Sequence, residues 1–390
     1  MNRKYFLSIN RKTFLLILLF VCLFFYQCSC MFSSQLVSTS YDSPVFVLLI
    51  FILTLLGINF NFCTKSKIVN SISILVLFIY IFTLLNLSQS PVSSIKYYFE
   101  LLLPLLVAVY IQKKCKDEDS IQAVENLSFF LLVGLFIYYI TNYNQYSGLM
   151  DVNINNASSY NTYSCLYFLP LILCNRNKIY RIAGIVLATI TTILSLKRGG
   201  IISISMALIL YFAMQGSNKY RFFNIKTLCS IVFFFFFFYY ILDYYGFTEN
   251  VIIRFSQLED SGESSRAMIY SNTIDSIQNS NLFDLLFGKG WNAVLNNSRL
   301  GFSAHNDYLE VLFDFGLITL VSLILLWIRL LKFSKFLIGE HSSIAGAFLA
   351  SLIIFFINTN ISHIIFYSNH FTVFALTWSF MSIRAKNKYV

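Results

Sequence analysis

His305 opens the run His305-Asn306-Asp307-Tyr308-Leu309-Glu310, and an apolar stretch follows directly. A histidine in a polar cluster at the mouth of an apolar helix is placed to take a proton from a hydroxyl near neutral pH, the work of a general base. A histidine that only satisfies the structure around a helix end is the other reading. Lys197 and Arg198 form a second feature, inside Leu196-Lys197-Arg198-Gly199-Gly200. Two adjacent cations with almost no loop to hold them either snorkel to lipid headgroups or meet an anion. For a phosphate or pyrophosphate, Arg198 provides a planar two-pronged donor. Gly199 and Gly200 would let backbone come close to such a group at a helix N-terminus. Arg266, in Ser264-Ser265-Arg266-Ala267-Met268, heads a predicted short helix from Ser265 to Ile277. Taken alone it reads as a loop arginine, as do Arg254 and Arg299.

The remaining chemistry-bearing residues are weaker. The chain has four histidines. His341 lies beside Glu340 and reads as solvated; His363 and His370 stand two helical turns apart, and two ligands are fewer than a metal site needs. Asp117-Glu118-Asp119 imitates a metal-binding DxD but sits among Lys113, Lys114 and Lys116, which reads as a solvated charge cluster. Asp42 is the sole charge of the first outward loop. The eight cysteines contain no CxxC pair and lie mostly in or beside apolar runs, so no zinc site or disulfide framework is implied. There is no P-loop, nucleophile elbow or HExxH. Neither a metal nor a cofactor is expected.

These residues must be positioned by membrane spans. The 390 residues are 57% hydrophobic and 12% charged, against about 25% charged in soluble domains. Apolar runs long enough to cross a hydrocarbon core about 30 Å thick recur along nearly the whole length. Twelve spans are predicted, at 13–30, 44–61, 68–88, 95–112, 127–143, 160–175, 179–196, 199–215, 228–246, 306–334, 343–359 and 364–384. The run Thr13–Tyr26 is short for a span and follows a basic N-terminus, which leaves a signal peptide as an alternative. Seven cations (Lys96, Lys197, Arg198, Arg254, Arg266, Lys289 and Arg299) fall on one side of this layout, and the remaining 21 of 28 fall on the other. The positive-inside rule therefore puts both termini in the cytoplasm. The net charge of +10 is spread through short loops rather than gathered in a patch, which argues against nucleic acid. The chain divides into spans one to nine (1–246), one large outer loop (247–304) and spans ten to twelve (305–390).

The segment from about Ser195 to Thr319 resembles the O-antigen ligase and O-antigen polymerase superfamily of bacterial surface-polysaccharide assembly. Ser195-Leu196-Lys197-Arg198-Gly199-Gly200 is similar to the family's arginine-bearing turn before an apolar helix. Ser265-Arg266-Ala267-Met268-Ile269-Tyr270 is similar to its loop arginine, and Phe287-Gly288-Lys289-Gly290-Trp291 to its glycine pair. The ligase signature is His, then Asn, Ser or Gln, nine residues, Gly, two residues, and Gly, Thr or Tyr. It is met by His305-Asn306, Gly316 and Thr319.

The resemblance implies an all-α integral membrane glycosyltransferase of the GT-C type in the bacterial inner membrane, metal-independent, with its site on the periplasmic face. The donor and acceptor implied are undecaprenyl-diphosphate-linked oligosaccharides, and a chain-length regulator and a flippase of the same pathway are implied partners. In that reading His305 is the general base, and Arg198 and Arg266 stabilise charge on the departing pyrophosphate. Lys197, Asn306, Arg254 and Gly199 lie on the substrate side. A polymerase is expected, joining repeat units with inversion; a ligase to lipid A core and, more distantly, a flippase or transporter are the alternatives.

Overall fold

Inside hydrocarbon the backbone must satisfy its own hydrogen bonds, and helices do so within one segment. The computed structural model describes residues 11–31, 44–87, 95–147, 163–195, 197–214, 240, 243, 263–297, 303–340 and 342–387. Among these residues the regular structure is helical throughout. The first eight helices are α1 (Arg11–Met31), α2 (Pro44–Ile58), α3 (Lys67–Leu85), α4 (Ile95–Lys114), α5 (Glu118–Ser147), α6 (Tyr163–Leu173), α7 (Lys178–Leu194) and α8 (Arg198–Ala213). Three short elements follow: α9 (Glu263–Gln278), α10 (Leu282–Phe287) and α11 (Ala293–Asn297). The chain closes with α12 (Asp307–Gly339), α13 (Ala345–Ile361) and α14 (Ser368–Asn387). Polar residues in the turns start several of them, with Ser66 accepting from the Val69 N–H and Asn177 from the Ile179 N–H.

Each of α1–α8 and α12–α14 coincides with one predicted span, and the span expected at 228–246 lies almost wholly outside the described residues. Helices α1, α3, α4, α5 and α12 are long and apolar enough to cross a membrane; α2, α6, α8 and α13 are shorter apolar helices. The first run is longer than its hydropathy suggested, because α1 continues through Gln27 and Cys28 to Met31. The predicted loop helix is α9, within two residues at each end.

Helix α14 is the hub. It packs on α4, α6, α3, α13 and α1, and Phe371, Phe374, Trp378 and Phe380 are all essentially inaccessible. A helix buried on every side can carry polar residues if partners meet them. Gln27 of α1 donates to the Asn369 carbonyl at 2.9 Å, and Ser379 donates to the Ala108 carbonyl of α4 at 2.6 Å. By contrast, Ile74 and Ile81 of α3 and Val321, Leu325 and Ile328 of α12 are exposed, an apolar rim suited to lipid.

At the end expected to face inward, Glu125 of α5 is 2.7 Å from Arg384 of α14 and accepts from the Arg176 N–H at 3.1 Å. The acidic run does not stand free: Asp117 pairs with Lys12 at 3.1 Å and Glu118 with Arg176. Hydrogen bonds from Ser120, then the Lys12 contact, hold the Asp117 carboxyl below its ordinary range.

Candidate functional site

Asn306 caps α12. Its side-chain oxygen accepts from the Tyr308 and Leu309 N–H groups at 3.0 and 3.2 Å, satisfying two donors that the first turn leaves open. The next residue fastens a second element: the fully buried Asp307 carboxylate accepts from the Ile364 and Ile365 N–H groups at 2.9 and 3.2 Å. The turn between α13 and α14 is thereby folded over the start of α12. A third element joins through Tyr270 of α9, whose hydroxyl donates to the Asn360 carbonyl at 3.2 Å, near the Asn306 amide at 3.5 Å from the same oxygen.

At this junction His305 is exposed and has φ +52°, a left-handed conformation that is strained for a residue with a Cβ. Its backbone N–H donates to Glu310 Oε1 at 3.1 Å. The other carboxylate oxygen of Glu310 lies 3.1 Å from Nδ1 of His363, and Asp307 Oδ1 lies 3.9 Å from the same nitrogen. Ser303 Oγ is 3.1 Å from His363 Nε2. The His305 and His363 rings are 4.8 Å apart, centroid to centroid, at 38°. Burial alone would lower the His363 pKa; the charge and hydrogen bond of Glu310, then the charge of Asp307, outweigh it and raise the pKa above its ordinary value.

His363 and His370 are not two ligands on one face. His370 Nδ1 meets the His363 carbonyl at 3.3 Å, and its ring stands edge-on to Tyr167 at 4.7 Å. Among the described residues no group of three or more His, Cys, Asp or Glu side chains could hold a metal ion.

Lys197 sits at the N-cap of α8, with Nζ 4.8 Å from the Tyr163 ring centroid. Partial burial lowers its ammonium to about 7. Tyr163 stacks on Tyr167 at 5.6 Å, so a chain of pairwise contacts runs from Lys197 through the buried rings of Tyr163, Tyr167, His370 and His363 to His305. Arg198 is the first residue of α8 and is partly exposed. Gly199 and Gly200 are buried in helix packing: a Cβ on Gly199 would press on Ile361 and stand 3.2 Å from the Tyr163 hydroxyl, and one on Gly200 would stand 3.0 Å from Thr192. Arg266 lies in α9 one turn before Tyr270, with its side chain outside the described residues, and Arg254 lies outside them altogether.

The spacing to Gly316 also acquires a cause. Gly316 breaks α12 with φ +75° and ψ 176°. In an unbroken helix the Phe313 and Asp314 carbonyls would accept from residues 317 and 318. Here they accept from the Lys289 and Gly290 N–H groups at 3.1 and 2.8 Å. Asp314 Oδ1 takes the Val294 N–H at 2.9 Å, and Thr319 donates to the Phe315 carbonyl at 2.8 Å. The kink is a socket for the loop helices α10 and α11.

Glu310 and Ser303 were not among the sequence candidates, and His363 was weighed only as a metal ligand. Glu310 stood inside the quoted run, and its His-x4-Glu spacing was the available signal; His363 and Ser303 offered none, because only the fold brings them to His305.

No curated protein matches the chain. The family model Wzy_C, described as O-antigen ligase, matches residues 183–324, from within α7 to within α12. That stretch spans the Lys197-Arg198 turn, α9, the glycine pair and the signature. Members of this family, ligases and polymerases, are glycosyltransferase-like enzymes. Over that stretch the chain is similar to the O-antigen ligases.

Proposed function

We propose that this chain is a surface-polysaccharide polymerase of the bacterial inner membrane, joining undecaprenyl-diphosphate-linked repeat units at the periplasmic face. The observation that carries the reading is the exposed His305 imidazole at the capped start of α12, linked through a chain of buried ring contacts to the cationic turn Lys197-Arg198. His305 takes the proton of the acceptor hydroxyl as the oxygen attacks the anomeric carbon of the donor sugar. The bond from that carbon to the diphosphate oxygen breaks with inversion, and the negative charge left on the diphosphate is met by Arg198, Lys197 and Arg266. An apolar cleft of about 280 Å³ between α3 and α12, lined by Ile74, Phe78, Leu317, Val321 and Leu325, opens just past the kink. It suits a polyprenyl chain lying in the bilayer.

A ligase reading, with lipid A core as acceptor, has its own support in the description of the matching family. One experiment tests both. In a strain lacking the protein, a single repeat on the core marks a polymerase, and bare core with accumulated lipid-linked polymer marks a ligase. His305→Ala and Arg198→Ala should fail to restore the long-chain ladder although the protein reaches the membrane at normal level. A general base contributes about 10²–10⁴-fold in rate, enough to erase the ladder. A normal ladder from either variant overturns that residue's role.

A further inference from the structure

One carboxylate serves both histidines of the junction. Glu310 holds the His305 backbone N–H through Oε1 at 3.1 Å and stands 3.1 Å from the His363 ring through Oε2. The opposite ring nitrogen of His363 meets the Ser303 hydroxyl at 3.1 Å. The ring thus stands between two residues that flank His305 in the chain, hydrogen-bonded to Ser303 and in charge contact with Glu310. Holding α12 in place does not require this arrangement, because Asn306 already caps the helix and Asp307 already fastens the turn. Burying a further carboxylate against a buried imidazole costs desolvation, and packing alone does not account for it.

We propose that His363 is a positioning residue for His305: Glu310 and Ser303 hold its ring as a fixed cationic floor, against which the exposed imidazole stays neutral and able to accept a proton. This rests on the reading of His305 as the proton acceptor. A cation about 5 Å away disfavours a second positive charge on His305, so the resting imidazole keeps its lone pair. Once the proton from the acceptor has arrived, the same repulsion favours passing it on to water, which resets the base.

The groups around the floor are consistent with its charge. From α12, Glu310 and Asp307 face His363; from the turn, the Tyr367 ring lies 5.6 Å from it. From α14, His370 meets its carbonyl, with Tyr167 of α6 and Lys197 at the start of α8 behind. Of the charged groups the two carboxylates lie closest to the ring, which favours the imidazolium.

The test is the pH dependence of His305 acylation by diethyl pyrocarbonate, which reacts with neutral imidazole, in the full-length protein in lipid nanodiscs, read by peptide mass spectrometry. In His363→Gln the midpoint for His305 should rise by about one pH unit, the order expected for loss of a unit charge at this range near a surface. In His363→Arg, which keeps a cation against Glu310, the midpoint should stay at or below that of the wild type. An unchanged midpoint in the glutamine variant overturns the proposal, as does an upward shift in the arginine variant. Where the glutamine variant fails to fold, the arginine variant alone decides on the same criterion. The underlying reading fails separately: a His305→Ala protein that still makes polymer removes the catalytic purpose of His363, even where the shift is seen.

Discussion

Gly288 lies against Gly316 so closely that a Cβ built on Gly316 would stand 2.6 Å from the Gly288 nitrogen. Both glycines have positive φ, +76° and +75°, and the chain crosses itself there backbone to backbone. The signature glycine is therefore a structural device that seats the loop helices on the span leading from His305.

Gly316→Ala should unseat that contact. The backbone strain alone, in a positive-φ region open essentially to glycine, costs about 1–3 kcal/mol, and the overlap with the backbone at Leu286 and Gly288 adds to it. Thermal unfolding followed by loop proteolysis should show early cleavage between α9 and α11. A variant as protease-resistant as the wild type would refute the socket.

Donor binding should follow the protonation of Lys197. Its folded value of about 7 lies below the ordinary 10.5, so the ammonium form is lost as pH rises through 7. An anionic ligand binds the charged form, and affinity for a diphosphate-linked lipid should therefore fall from pH 6.5 to pH 8.5. Lys197→Gln should flatten that slope. Equal affinity of the wild type at the two pH values would exclude Lys197 from the anion site.

Stability should respond to His363 in the same direction. Its folded pKa is raised above the ordinary 6.5. The stability it contributes is therefore complete below about 6.5 and is lost as pH rises through the folded value. Melting temperatures of the wild type should decline over that range, while those of His363→Gln should not follow the decline. Parallel profiles would show that the ring is not charged in the fold.

Asn306 separates capping from substrate contact. Asn306→Ala should cost about 1 kcal/mol through the lost cap, and Asn306→Asp, which still caps, should retain most of it. Polymer formation that tracks these stabilities marks a cap. A loss of activity in the stable aspartate variant marks a substrate contact by the amide.

The helices were legible because hydrocarbon imposes one backbone solution, and His305 was legible because its spacing to Gly316 and Thr319 is specific. The Glu310–His363 pair was not. Its members are far apart in the chain, and His363 is followed by Ile364, Ile365 and Phe366, a context that reads as the edge of a span. Gly199 shows a different limit: close approach to an anion and close approach to a helix both demand glycine, and only the contact with Ile361 and Tyr163 reveals which demand the fold meets here. The Lys197-Arg198 turn was found by its charge, while the chain of ring contacts linking it to His305 depends on Tyr163, Tyr167 and His370, which any buried helix could hold.

The polar character of α14 bears on how the protein is made. Rich in serine, threonine, asparagine and histidine, this helix partitions poorly into lipid alone, and some of its partners stand on helices made before it, Gln27 of α1 and Ala108 of α4 among them. Its seating between those helices therefore comes after they are made, and the turn bearing His363 is fastened to α12 through Asp307. A chain stalled before that seating would carry His305 without His363 beside it, so the pairing of the two rings is complete only once α14 has docked.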